Sequence, residues 1–154
     1  MPEVAVIAPL VPVVKGESFD YELIPLHVTL LPNFLIETEI ETAVQAVARI
    51  AESWKAFEFR ATGIDQFGPA ADIEVVTIDA SDELTKLHKS LREAFSGIGI
   101  AVNPEYHGAG YRPHSTTQPG SRVEVGETRV IDRLVLLDCT LPVRTVSSVA
   151  RLGV

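Results

Sequence analysis

The chain has 154 residues, 46% hydrophobic and 22% charged, with 21 acidic against 13 basic side chains and a net charge of -8. That length buries roughly two thirds of the unfolded surface, so residues 1–154 are expected to form a single domain without metal or disulfide staples. The acidic balance argues against a broad grip on a long polyanion, which needs surplus Lys and Arg to displace counterions; a nucleotide ligand should be small, with positive charge confined to a cleft.

The N-terminal stretch MPEVAVIAPLVPVV carries Glu3 where a signal peptide needs positive charge, and Pro9 and Pro12 interrupt it. No run approaches the ~20 apolar residues of a membrane-spanning helix, so a soluble, cytoplasmic protein with no membrane partner is expected. Residues 4–14 have strand composition, and their prolines predict an edge strand or one broken by a bulge. Residues 22–31, ELIPLHVTLL, alternate: on a strand His27 and Thr29 share one face and Leu26, Val28 and Leu30 the other.

A helix follows, with capping-box spacing at Thr38 and Glu41 and an apolar stripe of Ile40, Ala43, Val44, Val47, Ala51 and Trp54. Residues 56–64 return to period two, with Phe57, Phe59 and Ala61 on one side; Gly63 and FGPAAD mark turns, and residues 73–78 read as a strand. A second helix starts at Ser81, whose hydroxyl can cap it, buries Leu84, Leu87, Leu91, Ala94 and Phe95, and ends at Gly97 or Gly99. A glycine-containing loop delivers the chain to His114, residues 131–141 form the last clear strand, and residues 142–154 are strand-prone. This order predicts an α+β domain with helices packed on largely antiparallel sheet.

Two histidines stand two residues before a threonine, in LHVTLLP (His27, Thr29) and YRPHSTTQP (His114, Thr116). Such spacing on a strand points imidazole and hydroxyl the same way, about 6 to 7 Å apart, so both can touch one phosphate. Phosphodiester transfer needs a base for the attacking hydroxyl or water and an acid for the leaving oxygen, and histidine is the side chain suited to either near neutrality. Threonine hydroxyls can donate to the non-bridging oxygens as charge develops. Neither motif has the partners of a zinc site, and no nucleophilic-serine turn or phosphate-cradling glycine loop occurs, so no metal and no cofactor are expected. The lone Cys139, in an apolar run, reads as a buried structural thiol.

LHVTLLP and YRPHSTT resemble the two motifs of the two-histidine (2H) phosphoesterase superfamily, in its bacterial and phage 2'-5' RNA ligase-like branch. The order of the surrounding segments, from the helix after His27 through FEFRATGIDQFGP and LTKLHKSLREAF to VIDRLVLLDC, is also similar. The resemblance implies two pseudo-symmetric lobes facing across a cleft, each supplying one His-x-Thr strand. It implies metal-independent chemistry on 2',3'-cyclic phosphates, 2'-5' linkages or related cyclic nucleotides, with His27 and His114 as the acid–base pair and Thr29 and Thr116 as phosphate ligands. The expected partner is thus a small nucleotide or oligonucleotide, and a monomer is expected. A cyclic oligonucleotide messenger is the alternative substrate, and a nucleotide sensor without turnover the alternative function; the acidic chain weighs against ligation of long RNA.

Around the motifs, Arg112 shares the parity of His114 and Thr116 and is a candidate phosphate ligand. Tyr111 is expected to pack in the core, His88 at the core edge and His107 on the surface. Phe67 and Tyr106 are candidates for stacking on a base, although most phenylalanines should be core. The polar continuation Thr117-Gln118-Pro119-Gly120 predicts a short second-motif strand at the cleft rim. A bell-shaped pH–rate profile within about a unit or two of pH 6.5 is expected.

Overall fold

The computed structural model describes residues 1–79, 82–102, 104 and 107–153. Its elements are β1 (Glu3–Pro9), β2 (Ser18–Asp20), β3 (His27–Ile36), α1 (Ile40–Ser53), β4 (Phe57–Phe67), β5 (Ile73–Asp79), α2 (Glu83–Ala94), β6 (Gly99–Ala101), β7 (His114–Thr116), β8 (Thr128–Ile131), β9 (Arg133–Asp138) and β10 (Val143–Arg151). They build a six-stranded sheet, β2-β10-β9-β1-β3-β6, and a four-stranded sheet, β7-β5-β4-β8. The named strands pair antiparallel throughout, as expected for an α+β fold.

Alternation along β9 shows how the large sheet is covered. Leu134 and Leu136 face a core shared with Ala43, Val47 and Ala51 of α1, Leu84, Leu87 and Leu91 of α2, and Phe57, Phe59 and Ala61 of β4. Val135 and Leu137 face the other way, into a smaller cluster with Ile7, Val13, Cys139 and Val146. Fully burying one such aliphatic side chain contributes about 1.5–3 kcal/mol, so the two-sided burial of β9 and β1 anchors the fold. Cys139 is the buried thiol expected, its pKa pushed up to about 11 by loss of solvent. Among the described residues no helix is long and apolar enough to cross a membrane.

Several local expectations are corrected. β1 is a central strand and not an edge, the ladder ending at Pro9 with Pro12 beyond it, although register shifts between Val4 and Ile7 do interrupt its pairing with β3. The strand of the first motif begins at His27, not residue 22, since Tyr21–Leu23 forms a 3-10 turn ahead of Pro25. It runs on through Pro32, which is tolerated where β3 bulges against β1: Val4 pairs Phe34 and Val6 pairs Leu31, leaving Pro32 and Asn33 opposite Ala5 alone. No capping box forms; α1 is entered from Glu39, whose carbonyl accepts from the Thr42 N–H. Gly63 is not a turn but a register shift within β4. The expected strand over residues 131–141 is two strands in different sheets, the chain crossing at Asp132, whose carbonyl accepts from the Leu152 N–H. The tail supplies β10, and β6 is a short strand that periodicity did not predict. The cap assigned to Ser81 lies outside the described residues; α2 begins after Asp82.

Candidate active site

The site is built where the two sheets meet. β6 pairs with β3 only over Phe34 to Ile36, so among the described residues the same edge of β3 has no strand partner around His27 and Thr29. Side chains of the second motif close that edge. The Ser115 hydroxyl donates to the His27 carbonyl at 2.9 Å, and the Tyr111 hydroxyl donates to the Thr29 carbonyl at 2.7 Å. β7, short as expected, spans His114–Thr116 and is held from its other side by β5, with Thr77 opposite His114 and Val75 opposite Thr116. Ser115 is 1% exposed, so replacing it by alanine leaves a carbonyl at the junction short of a donor. Ser115→Ala is expected to lower stability by about 1 kcal/mol, read from the shift of the urea unfolding midpoint at unchanged m.

The two histidines are held by one repeated device. His27 Nδ1 lies 2.8 Å from the Pro25 carbonyl oxygen, and His114 Nδ1 lies 2.7 Å from that of Arg112. A carbonyl can only accept, so each Nδ1 carries the proton and each neutral ring presents a bare Nε2 for proton exchange. Both pKa values are lowered. Desolvation is the main cause at each; the backbone hydrogen bond opposes it, and the charge of His114 adds to the effect on His27, as that of Arg112 does on His114. Each imidazole is therefore predominantly neutral at pH 7.

Thr29, Arg112, His114 and Thr116 line a cavity of about 380 Å3 whose remaining wall, including Phe67, Pro69, Ile73 and Val75, is largely apolar. His27 does not belong to that wall; it is half-buried on β3 beside Thr29, within electrostatic reach of His114. No hydroxyl of Thr29 or Thr116 is engaged by another described residue, which leaves both able to donate to a ligand. Arg112 makes no ion pair among the described residues; its guanidinium lies over the Phe67 ring, 4.0 Å from the centroid. Phe67 also meets the His114 ring edge-on, at 4.7 Å between centroids. Phe67 is thus a wall of the cleft, carrying the arginine on its face. Among the described residues no group of three or more His, Cys, Asp and Glu converges to hold a metal.

Tyr111, expected in the core, is half-buried: it stacks on His88 and lines the cleft. His107 is not a surface residue: it is 8% exposed, because the loop turns inward to place the Gly108 N–H on His88. Tyr106 lies outside the described residues. The role of Ser115 was not foreseen; its opposite parity to His114 signalled a buried hydroxyl, which needs a partner.

The two-sheet α+β fold is that of several solved proteins. TT0787 of Thermus thermophilus matches with a TM-score of 0.62 and 20% identity over 99% of both chains. E. coli LigT complexed with 3'-AMP matches with a TM-score of 0.59 and 15% identity over 100% of both, and LigT complexed with ATP with a TM-score of 0.57 and 14% identity over 99% of both. No curated protein matches the chain. The family model of the 2'-5' RNA ligase superfamily matches residues 8–154, and the chain belongs to that superfamily of 2H phosphoesterases.

Proposed function

We propose that residues 1–154 act as one metal-independent phosphodiesterase unit on a cyclic or 2'-5' phosphodiester of a small nucleotide or RNA end. The observation that carries this reading is the matched pair of Nδ1-to-carbonyl bonds, which leave two Nε2 atoms with the same capacity at the junction of two strands. One Nε2 takes the proton of the attacking hydroxyl or water; the other, protonated, gives its proton to the leaving oxygen. Arg112 and the hydroxyls of Thr29 and Thr116 stabilise charge on the non-bridging oxygens, and the apolar wall accepts the nucleoside. The complexes of E. coli LigT with 3'-AMP and ATP support a small nucleotide as ligand. Either histidine can be base, since the roles exchange with reaction direction.

The lowered pKa values sharpen the expected pH dependence. In the free protein both rings titrate below 6.5, so one is neutral and the other protonated only on the acid side of that value. The optimum of kcat/KM should lie below pH 6.5, and activity should fall as pH rises through neutrality. A bound phosphodiester anion favours the imidazolium, so the kcat profile should lie at higher pH than that of kcat/KM. Assays of 2',3'-cyclic nucleotides, 2'-5' dinucleotides and cyclic dinucleotides, with and without EDTA, test the proposal. Turnover abolished by EDTA, or binding with no product after long incubation, would overturn it.

A further inference from the structure

His88 is 2% exposed on the buried face of α2, yet neither ring nitrogen touches the candidate site. Its Nδ1 meets the Leu30 carbonyl at 2.7 Å, and its Nε2 accepts from the Gly108 N–H at 2.8 Å. One partner only accepts and the other only donates, so the ring is held neutral with the proton on Nδ1. The Leu30 carbonyl needs this donor for a structural reason. Val6 pairs Leu31 and Ile7 pairs Thr29, which leaves Leu30 as the extra residue of a β-bulge.

Tyr111 completes the arrangement. Its ring lies flat on His88, with centroids 4.0 Å apart and planes 3° from parallel, while its hydroxyl reaches the Thr29 carbonyl. One stacked pair therefore bonds two consecutive carbonyls of β3, at Thr29 and Leu30, and the Gly108–Gly110 turn that leads to the second motif. Tyr111 is three residues from His114, and Thr29 two from His27.

We propose that His88 and Tyr111 are a pair of positioning residues that set the spacing of the two His-x-Thr strands across the cleft. This rests on the acid–base reading of His27 and His114. Productive proton transfer tolerates little displacement, so loosening the pair should act on turnover before it acts on binding.

Three variants separate positioning from mere support: Tyr111→Phe keeps the stacked ring and loses the hydroxyl, His88→Phe keeps a ring and loses both polar atoms, and His88→Gln can restore an acceptor for Gly108. Kinetics on a 2',3'-cyclic nucleotide, at least ~15 °C below each unfolding midpoint, should show kcat lowered about five- to tenfold in Tyr111→Phe and His88→Phe, with KM within about twofold. His88→Gln should recover part of the loss. The Tyr111→Phe/His88→Phe double variant should lose less than the product of the single losses. The Cε1–H titrations of His27 and His114, followed by NMR in the same proteins, should move in both phenylalanine variants. Lower unfolding midpoints with unchanged kcat and unchanged titrations would overturn the positioning role. Wild-type protein without turnover would instead remove the enzymatic reading, and the titrations would still decide whether the pair sets the rings.

Discussion

Replacing His27 by alanine is expected to lower kcat at least about a hundredfold, and replacing His114 to do the same, which corresponds to ~2.7 kcal/mol of transition-state stabilisation each. The large effect follows from the tautomer. With Nδ1 of each ring committed to a backbone carbonyl, Nε2 is the one atom of each ring able to exchange a proton with substrate. A variant that keeps the carbonyl bond separates proton transfer from local structure: His27→Asn and His114→Asn offer an amide donor near the former Nδ1 and nothing in place of Nε2. These should be as inactive as the alanine variants, with unfolding midpoints nearer wild type. Because the rings act as a unit, the His27→Ala/His114→Ala protein should lose little beyond either single variant. Steady-state rates and thermal unfolding of the five proteins give the result; full activity in the double variant would end the proposal.

Arg112→Ala should reduce kcat/KM by about tenfold to a hundredfold, the range for losing a hydrogen bond from a charged donor to a charged ligand. The guanidinium lies over Phe67 at the cleft with no carboxylate among the described residues to neutralise it, so its charge is available to a phosphate. Lysine should restore only part of the loss, since an ammonium lacks the planar fork that can stack on the ring and grip two oxygens. The substitution carries a second signature. Arg112 helps to depress the His114 pKa, so its removal should let that pKa rise, shifting the free-protein pH profile of kcat/KM toward higher pH. A loss of rate without that shift would assign Arg112 to substrate contact alone; no loss at all would remove it from the site.

Legibility followed the range of the interactions. The stripe Ala43, Val47 and Ala51 and the alternation of Phe57, Phe59 and Ala61 are set by backbone periodicity, and all six side chains are buried as their spacing requires. The parity of His27 with Thr29 and of His114 with Thr116 is equally local, as is the opposite parity that buries Val28 and Ser115. The helix cap read at Thr38 failed because Glu39, one residue later, takes the cap position. The single strand read over residues 131–141 failed because apolar runs on both sides of Asp132 look alike while belonging to different sheets.

The chain's own pattern determined its fold class and the alternation within its main strands, and it nominated five side chains for phosphate chemistry: His27, Thr29, Arg112, His114 and Thr116. Tertiary structure decided which carbonyls those strands leave open, and so which distant groups fill them: Ser115 on His27, Tyr111 on Thr29 and His88 on Leu30. It also decided the acid shift of both imidazoles, since desolvation depends on what the folded chain packs around each ring. Periodicity reports which way a side chain faces, whereas the donors to these β3 carbonyls and the burial of each ring arise from residues tens of positions apart, brought together only when the chain folds.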